Sequence, residues 1–291
     1  MSKVSVIMPC YNHERFLDEA ISSILSQTHQ NLELIIVDDA SKDSSGGIIR
    51  SYASVDSRVK PVWHSYNRGV AAARNCGIAK SSGDYIAFCD ADDAWEEDKL
   101  EAQLNYIQMN RNVDFVFSDA KIINEVSQPT GQYFSMMHPK ATGKRNTFLE
   151  LCLSNFINTS SVLFRRPCLN KATPFKKEFE YLEDWMYWLQ LSAHYQFYYI
   201  ERPLVRYRIH SSNTNSDSIR HFTSRIECNE YILSTFSKIP KRTKSAIYYN
   251  LGRDYAELGY LHQERESYKK ALRENVFNLK SWLYLLRSYL K

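Results

Sequence analysis

Tyr85-Ile86-Ala87-Phe88-Cys89-Asp90-Ala91-Asp92-Asp93 is the stretch on which the reading of this chain turns. An apolar run of β type stops abruptly at three carboxylates within four residues. Neighbouring carboxylates repel, so such a cluster faces a cation or solvent. At the end of a buried strand in an α/β sheet, the chain opens into the crevice where ligands bind. The Asp-x-Asp spacing suits a divalent metal that also holds phosphate oxygens. An ordinary acidic turn after a strand is the alternative, and the motif alone does not separate the two.

The segments before it alternate between two patterns. Val4–Met8, Leu32–Val37 and Val59–Trp63 are short apolar runs, and Tyr85–Cys89 is the fourth. Between them, Glu14–Gln27 carries Leu17, Ala20, Ile21, Ile24 and Leu25 on one helical stripe. Ile48, Ile49 and Tyr52 continue a helix begun near Ser41–Ser44, and Gly69–Ala79 has small residues at helical spacing. Strands alternating with helices predict βαβ units: an α/β fold with a mainly parallel sheet covered on both faces. The polar loops Cys10-Tyr11-Asn12, Asp38-Asp39-Ala40-Ser41 and Asp90-Ala91-Asp92-Asp93 then share one sheet edge.

Further on, the spacing predicts a helix over Glu97–Met109, a strand over Phe115–Ser118 and a long loop over residues 127–147. Ser160–Phe164 reads as a strand and Asp184–Leu191 as a helix. Phe197–Ile200 and Leu204–Tyr207 read as two strands around Glu201-Arg202-Pro203. From about Ser218 the pattern is helical. The polar segment Ser211–Ser216 marks a boundary, with an α/β domain over 1–215 and a helical region over 216–291.

With 291 residues, 44% hydrophobic and 24% charged, the chain has an ordinary globular composition. A net charge of +4 is too small to argue for a nucleic-acid partner. The six cysteines show neither pairing logic nor zinc spacing, which fits reduced thiols in a reducing, cytoplasmic setting. No apolar run approaches the ~18 residues of a membrane span, and the N-terminus reads as a first strand rather than a signal peptide.

At this point the residues resemble a family. Val4 through Asn12, Ile24-Leu25-Ser26-Gln27-Thr28 and Ile35 through Asp43 look like the opening of the family-two inverting glycosyltransferases. Asn67-Arg68-Gly69, Ala73-Arg74-Asn75-Cys76-Gly77, Gly83-Asp84-Tyr85-Ile86 and Asp90 through Trp95 continue the match in order. Glu183-Asp184-Trp185 resembles the family's later Glu-Asp motif, and Arg206-Tyr207-Arg208-Ile209-His210 its closing Arg-x-His segment. The resemblance covers residues 3–212, and its ordered set is far more specific than any one motif. It implies the GT-A fold, a nucleotide-sugar donor, a Mn²⁺ or Mg²⁺ cofactor, and a saccharide or lipid-linked saccharide acceptor.

The resemblance also implies roles. Asp39 sits under the nucleobase, where a carboxylate that accepts the uracil imide N–H favours a UDP-sugar. Pro9 and Tyr11 shape that pocket, although ordinary core packing serves Tyr11 equally well. Asp92 is the direct metal ligand, and Asp90 reaches the ribose or a metal-bound water, with Ala91 lining the donor site between them. His210 is either a further ligand or a surface or hinge histidine. Asp93 is read as a cap for a helix starting after Ala94. Asp184 is the general base, unless it or Glu183 only caps its helix. Glu183 and Trp185 are placed at the acceptor, although helical spacing favours core packing for most of Trp185, Tyr187 and Trp188. Arg68 and Arg74 are open to the diphosphate, to an acidic residue of the site, or to surface ion pairs.

In the tail, Tyr248, Leu251, Gly252, Tyr255, Tyr268 and Ala271 resemble one tetratricopeptide repeat, with Glu264 and Val276 off its pattern. A lone repeat cannot bury its own face. Peripheral contact at the inner face of a membrane, self-association and a plain helical bundle are all open. Two other readings compete with a transferase. A sugar nucleotidyltransferase needs a glycine-rich basic loop after the first strand, and Cys10–His13 has none. A non-catalytic helical scaffold has no use for Asp39, Asp90, Asp92 and Asp184 together.

Overall fold

The computed structural model describes residues 2–137, 147–179, 181–211 and 218–290. They group into two compact units. The first comprises Met1–Lys144, Phe156–Lys177 and Gln190–His210. The second comprises Arg145–Asn155, Glu178–Leu189 and Ser211–Lys291, so it draws two short segments from mid-chain. Most of the segment proposed as the boundary, residues 212–216, lies outside the described residues.

In the first unit, strands β1 (Val4–Cys10), β2 (Leu32–Asp38), β3 (Val59–Trp63) and β4 (Tyr85–Phe88) form a parallel half-sheet in the order β3-β2-β1-β4. Helices α1 (Leu17–Leu25), α2 (Ser45–Val55) and α3 (Val70–Lys80) connect them. Every residue of β1 is buried, because each of its faces is covered. Val4, Val6, Met8 and Cys10 share one apolar cluster with Leu17, Ala20, Ile21 and Ile24 of α1. Ile7 points the other way, against α3, where a Cβ on Gly77 would overlap its Cγ2. Glycine at 77 therefore lets α3 approach the sheet closely.

The second half of the sheet is mixed. It adds β5 (Ala94–Trp95), β6 (Phe115–Ile123), β7 (Pro129–Tyr133), β8 (Leu163–Arg165) and β9 (Phe197–Arg208), with α4 (Lys99–Met109) packed alongside. From β4 the order continues β8-β6-β9-β5, with β7 on β6. Only β6 and β9 are parallel here, and the other pairings are antiparallel.

Four local expectations need correction. The strand read as Phe115–Ser118 runs on to Ile123, because the buried Asp119 carboxylate is satisfied by the backbone N–H of Ala120 and by both N–H and Oγ of Ser135. The two strands around Pro203 are one strand, with the register slipping opposite Asp119; Pro203 sits at that irregularity, where a missing N–H costs no ladder bond. The long loop over 127–147 holds β7 and a helical turn, α5 (Phe134–Met137), while residues 138–146 lie outside the described residues. Asp93 caps no helix, since the chain enters β5 and α4 starts only at Lys99.

In the second unit are α6 (Thr147–Leu151), most of α7 (Glu183–Ser192), α8 (Ser218–Thr235), α9 (Lys241–Glu257), α10 (Leu261–Glu274) and α11 (Leu279–Ser288). The repeat-like helices α9 and α10 meet where Gly252 lies flat on the Tyr268 ring, leaving no room for a Cβ. Asn278 caps α11 by accepting the Ser281 N–H at 3.2 Å. All six cysteines are free thiols. Among the described residues, no helix is long and apolar enough to cross a membrane.

Lys99 is fully buried at the start of α4, with its ammonium 3.9 Å from the Trp95 ring centre and 2.8 Å from Gln103 Oε1. Burial pulls its pKa from 10.5 down to about 7, only partly countered by the field of Cys89. Below about pH 7 the lysine is protonated whether folded or unfolded. Between about pH 7 and about pH 10 only the unfolded chain holds the proton, so stability rises with pH, by up to about 1.4 kcal/mol per unit. Lys99→Met is expected to flatten that rise in denaturant-unfolding free energies. Equal pH slopes in variant and wild type would show that Lys99 keeps its proton in the folded state.

Candidate active site

The C-terminal ends of β1, β2 and β4 point to one sheet edge because these strands are parallel. The loops after β1 and β2 are laced together. The Asn12 N–H donates to Ser41 Oγ at 3.0 Å, and Asn12 Oδ1 accepts the Lys42 N–H at 2.8 Å. The His13 N–H donates to Ser45 Oγ, the Glu14 N–H to Asp43 Oδ2, and the Ser44 N–H to Glu14 Oε2. Asn12 and Ala40 both hold positive φ, at 56° and 63°. For alanine this is a strained conformation that the surrounding bonds must enforce.

Asp39 follows β2 and is buried. Its carboxylate accepts the N–H groups of Arg68 (2.9 Å) and Gly69 (2.8 Å), just before α3, and lies 2.6 Å from His64 Nδ1. The structure thus gives Asp39 the task of anchoring the entry into α3. The backbone of Arg68 meets Asp39, while the residue as a whole is exposed. One turn into α3, the buried Arg74 reaches Asp90 Oδ1 at 2.9 Å and lies over the Phe175 ring. Helix α3 therefore ties Asp39 to Asp90. Pro9 is buried in β1, opposite Val37. Tyr11 is 39% exposed, which rules out core packing for its ring.

The acidic turn is held from three sides. Asp93 is buried, accepting from Ser160 Oγ at 2.6 Å and from the Arg208 N–H at 3.0 Å. Ser160 also accepts the Asp90 N–H. Burial, with the fields of Asp92 and Asp90, pushes the Asp93 carboxyl well above the usual range, and those hydrogen bonds only partly offset the shift. The Arg208 guanidinium, 1% exposed, donates to the Asp92 carbonyl, the Asn124 carbonyl, Ser127 Oγ and Glu19. Ala91, between the two acids, is buried.

Two residues beyond Arg208, His210 Nε2 lies 3.0 Å from Asp92 Oδ2, with its ring 4.8 Å from that of Phe16. His210 is thus no surface residue. Burial resists ionisation of Asp92, but the hydrogen bond from His210 and the fields of His13 and His210 prevail and lower its pKa. Two ligand atoms each about 2.1 Å from one octahedral ion stand about 3.0 Å apart, so this O,N pair fits adjacent positions on Mn²⁺ or Mg²⁺. Among the described residues no set of three acidic, histidine or cysteine ligands gathers.

In the second unit, Glu183 and Asp184 open α7. Asp184 is half-buried, accepting from its neighbour's Trp185 N–H and from Asn155 Nδ2 at 3.2 Å. Glu183 is buried. Trp185, expected at the acceptor, is 3% exposed and donates its indole N–H to the Leu151 carbonyl at 2.7 Å. Tyr187 and Trp188 are also buried, so the three aromatics are packing residues and present no face to a sugar.

The family model for glycosyl transferase family 2 matches residues 5–171. The chain belongs to glycosyl transferase family 2. An uncharacterized glycosyltransferase of Haemophilus influenzae is 39% identical over 170 residues, which is 57% of this chain and 63% of that protein. The chain therefore spans less than two thirds of that relative. The Escherichia coli UDP-Glc:alpha-D-GlcNAc-diphosphoundecaprenol beta-1,3-glucosyltransferase WfgD is 32% identical over 219 residues, covering 75% of this chain and 81% of the relative. The crystal structure of S. aureus TarS 1–349 in complex with UDP-GlcNAc superposes with a TM-score of 0.72 at 15% identity, covering 99% of this chain and 89% of that one. At that identity the likeness speaks for the fold, which is GT-A.

Reading along the chain missed Asn12, Ser41, Asp43 and Ser45 as the lacing of two loops, and Arg208 as the clamp on the acidic turn. The signal for Arg208 was a cation closing a strand just after the apolar Leu204-Val205, where a cation drawn into the core must be paired. Arg208→Gln is expected to lower the unfolding free energy by about 3 kcal/mol, the lower end for a broken buried pair, since Glu19 keeps Arg206 and solvent. Denaturant titration measures this, and a loss within about 0.5 kcal/mol would mean that the clamp is dispensable.

Proposed function

We propose that this family-two chain transfers a sugar from a nucleotide-sugar donor, UDP-linked, to a hydroxyl of a saccharide or lipid-linked saccharide, with inversion at the anomeric carbon. The observation that carries the reading is the pairing of Asp92 with the buried His210, 3.0 Å apart at the edge where β1, β2 and β4 end. Asp92 and His210 would hold Mn²⁺ or Mg²⁺ jointly with donor phosphate oxygens. When bound, the ion supplies positive charge that offsets the departing diphosphate.

The chain's own residues do the rest. Arg74 and Ser160 hold the Asp90 end of the turn, leaving its second carboxylate oxygen available to a ribose hydroxyl or bound water. The exposed Tyr11 ring offers a face to the nucleobase. In the structure, Asp39 is spent on backbone N–H groups and His64, so reaching an imide N–H would require it to share those donors. Asp184, at the start of α7 in the Glu-Asp motif, takes the proton from the acceptor hydroxyl as that oxygen attacks. The attack comes from the face opposite the leaving diphosphate, and one displacement inverts the configuration. Glu183 supports this acceptor side.

Asp184→Asn is expected to leave nucleotide binding nearly intact and to cut transfer by at least about 10²-fold. Transfer at the wild-type rate would sink its assignment as base. A thermal-shift panel of nucleotides and nucleotide-sugars with Mn²⁺ should show UDP species raising the melting point most, because only the native state binds them. In Asp92→Ala the Mn²⁺-dependent part of that shift is expected to vanish, and its persistence would refute Asp92 as ligand.

A further inference from the structure

Helix α11 is built inside out. Its inner face consists of Ser281, Leu285 and Ser288, all buried. At about 100° per residue, Leu279, Trp282, Leu283 and Leu286 fall within one arc of about 120°, turned away from that inner face, and Leu290 follows just past the helix end. All five are exposed, Leu279 at 78% and Leu286 at 61%. Phe277, in the turn leading into α11, is 83% exposed. A helix that closed a helical stack would need a polar outer face. This outer face is apolar, and among the described residues nothing covers it.

Charge says what does. The exposed Lys280 and Arg287 fall together on one flank of the apolar arc, and α11 from Leu279 to Ser288 contains no acidic residue. On the other flank, Arg265 of α10 donates to the Ser288 carbonyl and lies 4.4 Å over the Tyr289 ring. Lys269, one turn along, is paired with Glu266 at 2.9 Å and interacts with Tyr289 as well. Cations thus border the patch on both sides, with Trp282 and Tyr289 at its margin. In an isologous contact between two copies, each basic rim meets its own image and repels it. An anionic lipid surface accepts both features, the apolar arc entering the headgroup boundary and the rim meeting the lipid phosphates.

We propose that α11, with Phe277 and the rim Arg265, Lys269, Lys280 and Arg287, is a monotopic docking surface for an anionic phospholipid bilayer. The helix lies in the plane of the interface, with its inner face still packed on α10. This assignment does not depend on the transfer chemistry and holds for a chain that transfers nothing.

The test is co-sedimentation of the full chain with vesicles of phosphatidylcholine alone, or with about 30% phosphatidylglycerol, at low and high salt. The wild type is expected to bind the anionic vesicles at least about 10-fold more tightly, and to lose most of that preference at high salt. Leu283→Glu/Leu286→Glu should abolish binding to both, with circular dichroism and melting point unchanged because both positions face outward. Lys280→Glu/Arg287→Glu should retain weak binding and lose the anionic preference. Absence of wild-type binding to anionic vesicles overturns the proposal, as does binding that survives Leu283→Glu/Leu286→Glu. A dimer in solution that Leu286→Glu converts to monomer, without vesicle binding, would assign the patch to a second copy instead.

Discussion

The buried guanidinium of Arg208 is the constraint on which the first unit's site depends. A cation with 1% exposure survives only if its donors are matched, and here two carbonyls, a hydroxyl and a carboxylate match them. Those partners come from α1, from the turn after β6 and from the acidic turn after β4. One side chain therefore sets the height of the Asp92 backbone relative to β9. Since His210 is two residues further along the same chain, the clamp also brings its ring to Asp92. The Asp92–His210 geometry follows from a structural ion pair rather than from those two residues themselves.

The same economy appears at α3. Asp39 orients the chain entering the helix, and Arg74 on that helix orients Asp90. The carboxylates of this edge are thus divided by environment. Asp93 is buried among like charges and serves as an internal acceptor, Asp39 is a backbone anchor, and Asp92 is kept ionised by two histidines. These three acids of one sheet edge do three different jobs because their neighbours differ.

Much of the parallel half was legible in the chain. Contiguous apolar runs such as Val4–Met8 and Leu32–Val37 need both faces covered, and amphipathic segments between them supply the cover. The mixed half was harder to read. Asp119 interrupts the apolar pattern of β6 and Arg208 closes the mixed strand β9, and partners that satisfy them lie 16 positions away at Ser135 and 189 positions away at Glu19. Local pattern carries no trace of such partners. The aromatic group on α7 was ambiguous for a related reason: spacing shows that Trp185, Tyr187 and Trp188 crowd one region of a helix, but not whether that region meets a ligand or a core.

The sequence by itself determined the βαβ alternation, the family, and the segments that bear the site, because period, order and motif are properties of the chain. It also determined that Leu279, Leu283 and Leu286 of α11 share one arc, with Lys280 and Arg287 beside them. Only the tertiary structure decided which face of α11 turns outward, that Tyr11 is exposed while Trp185 is not, and that His210 rather than a third carboxylate stands against Asp92. Each of these is set by which surfaces pack first. Burial and long-range hydrogen bonds choose among side chains that local propensity treats alike.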